Sequence, residues 1–257
     1  MAIMDTVALQ QANEHLEGLA PEDIIRWSLA KFGSTRVAAQ ASMQKTSCVL
    51  MHMISRLAPE LAIIFVDTGV HFPETLELRD EYARRFNLRI VTYTPELSFE
   101  EQCERYGRHL YLFDDEFDPP GYRECCHLRK EIPFLQAVRG KFACVIGGLT
   151  RAEGGPRSSI PVLSEDPRFD GYKLYPLANW TEQDVEDYIA RYELPVHPLY
   201  AKGYASIGCS CCTTPIRPGE PLRAGRWRHI REAHPHRYGT SGLYCGINLE
   251  DKRPNQE

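Results

Sequence analysis

Residues 36–67, RVAAQASMQKTSCVLMHMISRLAPELAIIFVD, decide how this chain folds. The runs 36–42 (RVAAQAS) and 61–67 (LAIIFVD) are short and almost wholly apolar, which is how strands covered on both faces read. Between them, residues 46–57 carry apolar side chains at helical spacing. The alternation continues outward. Residues 73–86 predict another helix, RIVTY (89–93) and FACVIGGL (142–149) two more strands, and TEQDVEDYIARY (181–192) a helix with Thr181 as N-cap. Upstream, PEDIIRWSLAKF (21–32) predicts an amphipathic helix opened by Pro21 in its first turn. Strands alternating with helices predict an α/β fold: a parallel twisted sheet with helices on both faces. On such sheets ligands bind beyond the carboxyl ends of the strands. The segments falling there are SMQKTS (42–47), the turn Asp67-Thr68-Gly69, and GGLTRAEGGPR (147–157).

The chain has 257 residues, 43% apolar and 25% charged, enough for one full core and unlike a disordered composition. No apolar run approaches the roughly 20 residues that cross a bilayer, and the first residues lack the basic-then-apolar order of a signal peptide, so a cytoplasmic location away from membranes is expected. A net charge of −5 with scattered signs argues against a nucleic-acid face, so any anion must be caught locally. After Cys212 the composition turns rich in Arg, His, Pro and Gly. This predicts a division into a folded domain over 1–214 and a mobile segment over 215–257.

Nine cysteines, with no export signal, favour metal binding or catalysis over disulfides. Cys48, Cys103 and Cys144 stand alone in apolar or helical surroundings and read as small buried hydrophobes. Cys125 and Cys126 are adjacent, and Cys209 and Cys212 have C-x-x-C spacing, with Cys211 offering other pairings. Four soft thiolates in two close pairs suit either tetrahedral zinc or a four-iron cluster. Adjacent cysteines favour the cluster, because neighbouring side chains reach one small ion poorly at tetrahedral angles.

The order of these features carries a resemblance. Cys125-Cys126, then Arg129-Lys130, then WTEQDVEDYI (180–189), then LPVHPLYAKGYASIGCSCCT (194–213) resembles the assimilatory adenylyl sulfate reductases, with the match running from Arg36 to Trp227. That family is similar in fold to the adenine nucleotide α-hydrolases. The resemblance implies a [4Fe-4S] cluster on Cys125, Cys126, Cys209 and Cys212, with adenylyl sulfate as substrate. It implies thioredoxin or a similar dithiol as reductant, and Cys245 as nucleophile. The resemblance places Ser42, Gln44, Lys45 and Ser47 where related ATP pyrophosphatases hold pyrophosphate on an S-G-G-x-D-S loop. Here both glycines and the aspartate are absent, which suits one phosphate bearing a sulfonate better than Mg-ATP. Asp67, Thr68 and Gly69, with His71, Pro73 and Glu74 behind them, are expected on the ribose or adenine side. Arg151 and Arg157 offer guanidinium forks to the anion, and Lys130 would bridge substrate and cluster.

The chain departs from the family pattern at Thr150, where a second arginine is usual, and at Tyr244 and Asn248 around Cys245, where an acid and a histidine are usual. These changes keep two other readings open. One is a reductase of phosphoadenylyl sulfate or a sulfite-donating relative; the other is a non-catalytic iron–sulfur protein that senses nucleotide or redox state. Homo-oligomerisation is left open.

Overall fold

The computed structural model describes residues 4–238 and divides into two compact units. Unit 1 takes in the described residues up to Phe65, Thr75–Thr92 and Ala137–His197; unit 2 takes in Val66–Glu74, Tyr93–Gln136 and the described residues from Pro198 onward. In chain order the elements are α1 (Thr6–Leu16), α2 (Pro21–Phe32), β1 (Val37–Ala41), α3 (Lys45–Leu57), β2 (Ala62–Val66), α4 (Pro73–Arg85), β3 (Ile90–Tyr93) and α5 (Phe99–Tyr106). Then come α6 (Tyr122–Cys126), α7 (Ile132–Val138), β4 (Cys144–Ile146), β5 (Leu163–Asp166), β6 (Gly171–Leu174), α8 (Glu182–Tyr192), α9 (Arg228–Ala233) and α10 (Pro235–Tyr238).

The six strands form one sheet in the order β3-β2-β1-β4-β6-β5. Strand β1 is buried along its whole length and pairs in parallel with β2 and β4, Ala39 lying opposite Ile63 on one side and Ile146 on the other. Its apolar run reflects the covered faces. Strand β6 joins β4 in parallel, and β5 returns antiparallel along it. The sequence did not reveal this last pair, because LSED and GYKL are four residues each and carry charges that lower strand propensity. The predicted strand over 142–149 shrinks to Cys144–Ile146, its remainder serving as connection. The edge strand is protected: Asn13 of α1 donates to the Leu163 carbonyl at 2.8 Å and accepts the Leu163 N–H at 2.9 Å, occupying backbone groups that could otherwise recruit another strand.

Helix α3 buries Val49, Leu50, Met53 and Ile54 and packs on β1, α2 and α8. Helix α8 opens as predicted. Thr181 caps it with a reciprocal box to Asp184. Cys48 and Cys144 are buried small hydrophobes, whereas Cys103 is only half-buried.

Unit 2 is built on the stretch from α6 to α7. Asp115 caps its start by accepting the N–H groups of Gly121 at 2.8 Å and Arg123 at 2.5 Å. Between α6 and α7 lies one π-helical turn, His127–Glu131, in which Ile132 N–H bonds to the His127 carbonyl. Pro133 follows at once. A proline there lacks the N–H and would collide with the carbonyl four residues back, and the widened turn relieves that collision.

The predicted boundary after residue 214 is not where the fold divides. Residues 215–238 are folded within unit 2: Thr213 bridges Arg226, Trp227 is fully buried, and Ile230 packs beside it. One tryptophan and one isoleucine anchor a stretch whose composition reads as a tail. No helix among the described residues is long and apolar enough to cross a membrane.

Candidate active site

In unit 1 the chain leaves β1 through Ser42 and Met43. Met43 is fully buried at φ 56°, a left-handed conformation that a side chain adopts at a cost. The Ser42 N–H donates to Ser47 Oγ at 2.9 Å, so Ser47 closes the loop over the first turn of α3. Gly148, just past β4, lies so near this turn that a Cβ there would sit 3.1 Å from the Ser47 nitrogen. The loops after β1 and β4 are thus packed together. Three cations expected beside them have intramolecular acids. Lys45 pairs with Glu186 of α8, and Arg157 with Glu153. Arg151 is more fully committed. It forks onto both carboxylate oxygens of Glu17, contacts the Asn179 side chain and donates to the Ile160 carbonyl at 2.9 Å. Glu17 is in turn held below its ordinary pKa by this hydrogen-bonded guanidinium. Thr150 is buried and boxes with Glu153, capping the short turn that carries Arg151, which accounts for a threonine at that position.

In unit 2 the chain leaves β2 through Asp67-Thr68-Gly69. The Asp67 carboxylate accepts the Gly69 N–H at 2.9 Å, folding the turn, and Gly69 has φ 72°. A Cβ on Gly69 would lie 2.9 Å from Arg129 Nη2. Both constraints demand glycine. The turn then pairs with the C-x-x-C segment: His71 bridges Cys209, and the Ser210 N–H donates to the Val70 carbonyl at 2.8 Å. The buried His71 ring bonds the Val66 carbonyl at 3.1 Å, and burial lowers its pKa to about 4, with Lys130 and Arg226 adding to the effect. His71 is therefore a neutral structural link. Glu74, likewise expected near the nucleotide, lies 3.8 Å from Lys202.

The four cysteines of the motif gather in unit 2. Cys126, Cys209 and Cys212 share one buried cluster with Tyr122, Trp227 and Ile230, and burial raises the Cys125 thiol to about 11, with Cys209 and Cys212 reinforcing the shift. Gln102 Nε2 donates to Cys125 Sγ at 3.5 Å, and the Cys209 thiol donates to Thr68 Oγ1 at 3.4 Å. Cys211 Sγ lies 3.7 Å from Cys212 Sγ, and this hydrogen bond together with burial raises Cys212 well above the ordinary thiol range. Among the described residues, no three His, Cys, Asp or Glu side chains form a group that could hold a single metal ion. The thiols fit a larger group better. They are buried and come from two separate segments, and Cys126, Cys209 and Cys212 share their cluster with a Trp227 indole N–H that has no hydrogen-bond partner among the described residues. An unmet buried donor beside four thiols suits a cofactor that carries acceptor sulfurs of its own.

Residues 36–215 match the model of the phosphoadenosine phosphosulfate reductase domain. The chain belongs to this family. It is 35% identical over 234 residues to the adenosine 5'-phosphosulfate reductase of Mycolicibacterium smegmatis, covering 91% of this chain and 90% of that one. With the Halalkalibacterium halodurans protein of the same name it shares 35% over 243 residues, covering 94% and 97%. The crystal structure of phosphoadenylyl-sulfate reductase from Candida auris, a phosphate complex, superposes with a TM-score of 0.71 at 25% identity, covering 83% of this chain and 99% of that one. FMN adenylyltransferase from Candida glabrata, at 16% identity and a TM-score of 0.54, shares the fold alone.

In this reductase-domain chain the motif cysteines and the strand-end loops stand out in the sequence, and what surrounds them does not. Gln102, Arg129 and Trp227 were not anticipated as site residues, although Arg129 and Trp227 stood within the matched motifs. Arg226 was missed too. Its guanidinium is buried over the Trp227 ring, 4.7 Å from the centroid, and draws the Cys212 pKa down against the larger upward effects. The pairing of Thr213 with Arg226 could be suspected only from the two glycines, Gly208 and Gly225, that make room for it. Lys130 acts electrostatically on both Cys125 and Cys212, drawing both thiols down against the larger upward effects. Cys245 lies outside the described residues.

Proposed function

We propose that this chain reduces adenylyl sulfate to sulfite and AMP in two thiol steps. The Cys245 thiolate attacks the sulfonate sulfur, the bond from that sulfur to the phosphate oxygen breaks, and AMP leaves with the electron pair. A dithiol, thioredoxin or one like it, then attacks Sγ of the resulting S-sulfocysteine. Sulfite departs, and the second thiol of the reductant closes a disulfide that frees Cys245. Two thiols supply both electrons.

The observation that carries this reading is the gathering of Cys125, Cys126, Cys209 and Cys212 with Lys130 in a chain that is 35% identical to proteins named adenosine 5'-phosphosulfate reductase. Those thiols would hold a [4Fe-4S] cluster, which supplies electrostatic and structural support when bound. Lys130 would add positive charge to balance the phosphosulfate, from which AMP leaves. In unit 1, Ser42, Gln44, Ser47 and Arg157 are assigned to the anion, with Lys45 joining them on release from Glu186. Arg151 is assigned to holding its loop rather than to the anion, since Glu17 and Asn179 occupy its fork. In unit 2, Asp67, Thr68 and Gly69 are assigned to the nucleoside.

Anaerobically prepared protein incubated with sulfur-labelled adenylyl sulfate should carry label on the Cys245 peptide and release sulfite when a dithiol is added. Label elsewhere, or none, overturns the assignment. Running the same assay with the 3′-phosphorylated nucleotide separates the two substrates, and faster turnover of that form would move the chain to the phosphoadenylyl sulfate branch.

A further inference from the structure

Arg129 is 2% exposed, and among the described residues no carboxylate lies within 4 Å of its guanidinium. A buried, uncompensated cation is costly unless its hydrogen bonds and the local field offset the loss of water. The hydrogen bonds are there. Nε donates to the Thr68 carbonyl at 2.6 Å, and Nη1 to the Leu97 and Ser98 carbonyls at 3.2 Å and to Gln102 Oε1 at 3.1 Å. Burial disfavours the charged guanidinium, while the ionised forms of the cysteines at 125, 209 and 211, and Glu100, favour it. Gln102 passes the contact on, accepting from Arg129 through its oxygen and donating to Cys125 Sγ through its nitrogen.

We propose that Arg129 and Gln102 form a positioning relay that fixes the Thr68–Gly69 turn and the Cys125 sulfur in one arrangement, so that nucleotide affinity and cluster retention both depend on Arg129. This rests on the functional reading above, in which that turn holds the nucleoside and Cys125 is a cluster ligand. An amide has one acceptor and one donor end, and here each end serves one partner. Lysine could keep the charge at position 129 but not the fork that reaches four acceptors at once.

The test uses anaerobically prepared holoprotein and two readouts, AMP affinity by calorimetry and the rate at which visible absorbance is lost in the presence of a chelator. Arg129→Lys should weaken AMP binding about tenfold, the scale of one charge-assisted hydrogen bond, and should also speed the bleaching. Gln102→Glu keeps the acceptor for Arg129 and loses the donor to sulfur, so it should bleach faster while holding AMP affinity within about twofold. Arg129→Lys that changes only one readout, or neither, overturns the relay. Should Arg129→Lys fail to fold, unaltered bleaching in Gln102→Glu overturns it instead. A wild-type protein that lacks visible absorbance or does not bind AMP overturns the functional reading itself.

Discussion

Gly69 shows how one position can be fixed twice, by backbone and by neighbour. Its φ of 72° lies where a Cβ costs about 1–2 kcal/mol, and the space a Cβ would need is taken by a guanidinium pinned by four hydrogen bonds. Gly69→Ala is therefore expected to lose about 1–3 kcal/mol in urea unfolding and to weaken AMP binding, whereas a variant with wild-type stability would show that the turn adapts. Arg151 shows the limit of reading single residues. An arginine in a Gly-rich loop beyond a strand looks like an anion ligand, yet its fork is filled by Glu17, a residue far away in sequence that no local pattern connects to it. Arg151→Ala is expected to lower stability by about 1–2 kcal/mol, because the pair is partly exposed and screened. Preserved stability with lost nucleotide affinity would return Arg151 to the anion site.

At the scale of elements, the strands and helices with long apolar periods were legible, and the short polar hairpin was not. Strands β1 and β2 read clearly because their runs are buried and uninterrupted, whereas β6 hides Lys173 in the sheet. That lysine is 2% exposed, donates to Gln40 Oε1 at 3.2 Å, and has its pKa lowered to about 7 by burial, against a smaller raising effect of Asp166. The sign of the consequence follows. Between about pH 7 and the ordinary lysine value the unfolded chain binds a proton there that the folded chain does not, so stability from this group rises with pH across that window and is lost as pH falls through it. Chemical denaturation of wild type and Lys173→Met at several pH values should show their stabilities converging toward the alkaline end as pH rises, or the variant's advantage shrinking. A difference that does not vary between pH 7 and 10 would mean that Lys173 keeps its proton when folded. The π turn at His127–Glu131 was equally invisible, although Pro133, which it accommodates, was in plain view.

The whole molecule was harder to read than its parts. The composition change after Cys212 suggested a tail, but residues 215–238 complete the cysteine cluster by bringing Trp227 and Ile230 to it. A few buried side chains in a polar stretch outweigh average composition. Removing the proposed cluster, by chelation or by Cys126→Ala, is expected to raise hydrogen exchange in unit 2, where four buried thiols and an indole N–H with no partner among the described residues would lose the group they share. Exchange in β1, β2 and β4 should change much less. Uniform loosening of both sets of residues would show that the units do not differ in their dependence on the metal.

Unit 2 is also assembled from stretches that are not neighbours in the gene product: Cys126 and Cys209 flank the entire run Ala137–His197 that belongs to unit 1. During synthesis the first pair of thiols emerges long before the second, and Trp227 later still. Assembly of the proposed cluster therefore has to wait until Cys209 and Cys212 have also emerged, and until then Cys125 and Cys126 must be kept from oxidation by the reducing capacity of their surroundings.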